Sequence, residues 1–88
     1  MQQYLVQTPE QLKTMLSGLR KSRGLTQAAL AAKLGVSQQA IAKLESNPAG
    51  ASVERLFAVL RSMNARLSLV DDLGDASAAH SPSPRDGW

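Results

Sequence analysis

Apolar residues recur along this chain with a helical period, in four blocks separated by turn residues. Leu12, Met15, Leu16 and Leu19 stand at i, i+3, i+4 and i+7, one face of an amphipathic helix. Thr8 caps it, Pro9 takes its first position and Gln11 is placed to close a capping box, while Gly24 ends it. Two short helices follow, over Gln27 to Leu34 and Gln38 to Glu45. Each has a hydroxyl at its N-cap, Thr26 and Ser37, and Gly35 stands between them. Their apolar positions are Leu30, Ala31, Leu34, Val36, Ile41 and Leu44, and small Ala31 lets the two helices cross closely. Asn47-Pro48-Ala49-Gly50 reads as a turn, because Asn before Pro is biased away from helix. Ser52 caps a fourth helix, with Glu54 near its N-terminus and a predicted buried stripe of Val53, Leu56, Phe57 and Leu60, extended by Met63.

The period changes after Asn64. Arg66-Leu67-Ser68-Leu69-Val70 alternates and predicts a short strand. One strand on an all-helical domain has no ladder partner, and Gln3 to Val6 offers only a weak one. The same strand of a second copy, paired antiparallel across a two-fold axis, meets the need. A fraying extension is the competing reading. From Gly74 to Gly87 the chain is small and polar with no apolar period. It is expected to be disordered and makes up most of a flexible tail over 73–88 that follows a domain over 1–72.

The exposed side of the second short helix carries Gln38, Gln39, Ala42 and Lys43, which offer amides, a cation and no apolar bulk. A helix, a tight turn and a helix with such a face is the arrangement that enters a DNA major groove. Charge agrees. Residues 1–70 hold nine Lys or Arg against three Glu, a net +6, while 71–88 hold one Arg against four Asp, a net −3. A basic body suits a polyanion, and Lys13, Arg20, Lys21 and Arg23 concentrate it on the first helix.

Eighty-eight residues make one domain with a small core, which favours a dimer. With no cysteine, neither a disulfide nor a thiolate metal site supports that core, and no cofactor is expected. The start MQQYLVQTPE lacks the features of a secretory signal, and no apolar run approaches the ~20 residues of a membrane span. These readings point to a cytoplasmic protein with no membrane partner. Catalysis finds no support: the acids are scattered and the one histidine, His80, lies in the tail.

Residues 20–45, RKSRGLTQAALAAKLGVSQQAIAKLE, closely resemble the helix-turn-helix of the phage repressor and Cro, or XRE, family. The likeness rests on Gln27, Ala31, Gly35, Gln38-Gln39, Ile41 and Glu45. It implies an all-α, lambda-repressor-like domain of four or five short helices. By resemblance Gln27 binds a phosphate and braces Gln38, which reads a base. Gln39, Ala42 and Lys43 fall where relatives place other base contacts, and Arg20 and Glu45 match a buried ion pair. The expected phosphate-binding set is Thr26, Gln27, Ser37, Lys21 and Arg23.

The whole chain is similar to a narrower branch, the HipB-type antitoxins. The likeness lies in the opening Thr8-Pro9-Glu10-Gln11-Leu12, the strand Leu67-Ser68-Leu69 and a polar tail ending in Trp88. That resemblance implies a homodimer whose C-terminal strands, here Leu67, Ser68, Leu69 and Val70, form an intersubunit β-lid. It implies repression through a palindromic double-stranded DNA operator in the protein's own promoter. It also implies neutralisation of a HipA-type serine/threonine kinase toxin, with Trp88 as a toxin contact. Two other readings stay open: an XRE-family repressor with no toxin, and an interaction module that has lost DNA binding.

Overall fold

The computed structural model describes residues 2–73, and four α-helices make up its frame: α1 Pro9–Ser22, α2 Gln27–Leu34, α3 Gln38–Ser46 and α4 Val53–Ser62. A single 3₁₀ turn, Pro48–Gly50, joins α3 to α4 at the expected turn cluster. The helix starts follow the local chemistry. Thr8 Oγ1 accepts from the Gln11 N–H at 3.2 Å, and Gln11 Oε1 accepts from the Thr8 N–H at 3.1 Å, a complete capping box. Thr26, Ser37 and Ser52 cap the other three helices by accepting from the backbone N–H three residues on, without the reciprocal half of the box. Gly24 (φ 69°) and Gly35 (φ 71°) close α1 and α2 in the left-handed conformation that a Cβ makes unfavourable. Gly18 differs: it lies exposed within α1, and a Cβ built there meets nothing within 4 Å.

The core is Leu16 of α1, Leu30 and Ala31 of α2, Ile41 and Leu44 of α3, and Val59, Leu60 and Met63 at the end of α4. Leu30 and Ile41 are fully buried where α2 meets α3, and Ala31 keeps that crossing close. Full burial of such side chains contributes about 1.5–3 kcal/mol each. Leu12, Leu19, Leu34, Val36 and Leu56 pack around this centre.

Two expectations need correction. First, Val53 and Phe57 are exposed, so the covered stripe of α4 is Leu56, Val59, Leu60 and Met63. That set has the same i, i+3, i+4, i+7 spacing displaced by three residues, and it is the one that faces Leu30 and Ile41. Second, no strand occurs among the described residues. Leu67, Ser68, Leu69 and Val70 lie exposed outside any element. A strand needs a ladder, and neither Gln3 to Val6 nor any other described segment of the same chain supplies one. Residues 74–88, with His80 and Trp88, lie outside the described residues, as does the expectation of a disordered tail.

Candidate nucleic-acid interface

The turn between α2 and α3 is three residues long and leaves one face of α3 open. Gln38, Gln39 and Lys43 are exposed there and Ala42 is half-buried, while Ile41, Leu44 and Glu45 point into the domain. Five N-terminal positions of α3 therefore contain two adjacent amide side chains able to donate and accept in a plane, the geometry that suits adenine N6 and N7.

A buried polar network holds α3 in place. Arg20 Nε donates to Glu45 Oε2 at 2.6 Å and Arg20 Nη2 to Glu45 Oε1 at 3.2 Å, a two-point pairing of guanidinium and carboxylate. Arg20 Nη1 donates to the Leu25 carbonyl at 2.8 Å. Gln27 Nε2 donates to Glu45 Oε1 at 3.1 Å. Arg20 and Glu45 are only 8% and 7% exposed, and every buried side-chain N or O among the described residues has a partner. The expected ion pair is thus formed, and Gln27 joins it. Among the described residues no hydrogen bond joins Gln27 to Gln38. With one N–H of Gln27 committed to Glu45, the second remains to donate to a phosphate.

The caps have a double capacity. Thr26 Oγ1 accepts from the Ala29 N–H at 3.0 Å and Ser37 Oγ from the Ala40 N–H at 3.1 Å. Each hydroxyl keeps its own O–H as a donor for a phosphate at the helix N-terminus. Lys21 is exposed in the last turn of α1. Arg23 has a different partner from the phosphate expected of it. Its Nε donates to the Met63 carbonyl at 3.0 Å and its Nη1 to Ser22 Oγ at 3.0 Å. Sequence reasoning missed Arg55, which lines the same shallow groove as Lys43, Asn47 and the cap Ser52. Its only signal is a basic residue in the first turn of α4, where the local helix dipole favours an acid.

Among the described residues no cluster of three His, Cys, Asp or Glu is placed to hold a metal, and no helix is long and apolar enough to cross a membrane.

Comparison with known proteins agrees with this geometry. The helix-turn-helix family matches residues 16–70. Two curated relatives from Escherichia coli strains, both named Antitoxin HipB, are 33% and 32% identical over 66 residues. That span is 75% of this chain and 70% and 75% of theirs. A solved HipB-O4 20mer complex superposes with a TM-score of 0.73 at 30% identity, covering 80% of this chain and 99% of that one. A solved HipA-HipB-O2-O3 complex gives the same TM-score, identity and coverage. The chain belongs to the helix-turn-helix family and, within it, to the HipB-type antitoxins.

Proposed function

We propose that this protein is an antitoxin and transcriptional repressor, without enzymatic activity, that works in the cytoplasm as a homodimer. The dimer binds a palindromic operator in its own promoter and neutralises a HipA-type serine/threonine kinase. The observation that carries the DNA reading is the open amide face of α3, fixed from behind by the Arg20–Glu45–Gln27 network. Gln38, Gln39, Ala42 and Lys43 face the bases. Thr26, Gln27, Ser37 and Lys21 hold phosphates, which set register without reading sequence. Similarity to a solved complex of HipB with HipA supports the kinase partner, and Trp88 is the proposed contact.

The dimer reading rests on apolar surface that one chain leaves uncovered. Phe57 and Val53 on α4 are 42% and 66% exposed, and Leu67, Leu69, Val70 and Leu73 are between 53% and fully exposed. Large apolar side chains exposed in this number favour an interface. A second copy would cover it and give Leu67 to Val70 the strand partner they lack.

Titration of the promoter fragment and of a scrambled duplex, each at several salt concentrations, tests the DNA reading. The promoter should bind more tightly, and affinity should fall steeply with salt as counterions return to the phosphates. Gln38→Ala should lose about 1–3 kcal/mol on the promoter and relax preference at one base position. Lys21→Ala should weaken both duplexes equally. Equal binding to scrambled DNA by the native protein, or an unchanged promoter preference in Gln38→Ala, contradicts the reading. In the same preparations, failure to suppress autophosphorylation of a HipA-type kinase would remove the antitoxin half.

A further inference from the structure

The last carbonyls of a helix have no partner within it and must find one elsewhere. In α4 all four are accounted for. Ala65 N–H donates to the Leu60 carbonyl at 2.9 Å and Asn64 N–H to the Arg61 carbonyl at 3.1 Å, with Asn64 left-handed at φ 58°. That is the Schellman closure, and it leaves the carbonyls of Ser62 and Met63. Two cations from other helices take them. Lys33 Nζ, in the last turn of α2, donates to Ser62 O at 2.8 Å, and Arg23 Nε, at the C-cap of α1, donates to Met63 O at 3.0 Å. Both are charge-assisted bonds at the negative end of a helix dipole.

We propose that Arg23 and Lys33 form a clamp that fixes the direction in which the chain leaves α4, and so set the half-site spacing that the dimer accepts. The proposal rests on the dimer reading above. Residues 67–70, which carry that contact, begin four positions after Met63. Lys33 lies on the helix that buttresses α3, and Arg23 follows the α1 turn whose Arg20 holds Glu45. The two bonds tie the base of the dimer arm to the frame of the recognition helix. Their geometry governs how far apart, and at what rotation, two recognition helices stand. One added base pair moves the second half-site by about 3.4 Å and about 35° around the duplex. A clamped dimer rejects that displacement and a loosened one tolerates it. Arg23 and Lys33 are positioning residues in this scheme and touch no DNA.

The test uses the full-length protein and three duplexes cut from the footprinted promoter: two half-sites at native spacing, the same with one base pair inserted, and a single half-site. The Arg23→Met, Lys33→Met double variant should lose about tenfold in discrimination between the first two, the scale of one charge-assisted hydrogen bond. Its affinity for the single half-site and its salt slope should match the native protein. Exchanging the two cations, Arg23→Lys with Lys33→Arg, should restore discrimination. If the double variant unfolds, exposed Lys33→Met alone is read in the same way. Unchanged spacing discrimination in a folded variant overturns the clamp and leaves the DNA reading standing. A salt slope that flattens by about one unit per cation removed also overturns it, since the two would then be phosphate ligands. A native protein that binds both spacings equally overturns the clamp, and one that binds neither more tightly than the single half-site overturns the two-fold dimer on which it rests.

Discussion

Glu45→Ala is expected to lower stability by about 3–5 kcal/mol, because it leaves the buried Arg20 guanidinium without its carboxylate. The loss is not confined to one pair. Gln27 Nε2 loses its acceptor as well, and only the Leu25 carbonyl remains to Arg20. An uncompensated buried charge is the expensive outcome, whereas an exposed pair of the same residues would contribute about 1 kcal/mol or less. For a domain of this size, 3 kcal/mol corresponds to at least about 12 °C in the thermal midpoint. Calorimetry or circular dichroism on the purified variant reads this directly, and a midpoint within 3 °C of native would show that the pair adds nothing. A partly folded Glu45→Ala protein should also lose DNA affinity, since the network sets the orientation of α3.

Phe57→Asp is expected to separate the dimer while leaving each domain folded. Phe57 is 42% exposed on α4 and lies outside the buried cluster of Val59, Leu60 and Met63, so a charge there should leave that cluster in place. It would instead be buried against the partner copy. Two linked half-sites bind more tightly than one through effective concentration, and that advantage is commonly about 10²–10⁴. Sedimentation should show a monomer, operator affinity should fall by that range, and affinity for an isolated half-site should stay near native. A Phe57→Asp protein that still sediments as a dimer would place the interface elsewhere, and Leu69→Pro, which removes a ladder donor, would then test the strand segment alone.

The helix starts were legible because their causes are local. Thr8, Thr26, Ser37 and Ser52 act on N–H groups three residues away, and the glycines at 24 and 35 act on their own backbone. The Arg20–Glu45 pair spans twenty-five positions, and only family resemblance pointed to it. The face of α4 could not be read correctly. Val53, Leu56, Phe57, Leu60 and Leu56, Val59, Leu60, Met63 satisfy the same period, and the sequence does not say which set meets its own chain. The alternation at 66–70 was legible as a pattern but not as a strand, because a strand is a property of two segments. The attachment of Arg23 and Lys33 to α4 has no local signal at all: a surface cation looks the same whether it meets solvent, a phosphate or a helix end.

Gly18 bears on how long the protein survives. A glycine inside an exposed helical face weakens the helix by about 0.5–1 kcal/mol relative to alanine, and here no close packing asks for it. The native sequence thus stops short of a stability that one methyl group supplies. Where a protease captures molecules in their brief open state, degradation follows the population of that state. Gly18→Ala should therefore lengthen the half-life of the free protein under limiting protease by about two- to fivefold, with DNA affinity unchanged. In the proposed pair, where one protein restrains the other, the turnover of the restrainer decides when the restraint lifts, and filling this one position on α1 should delay that moment.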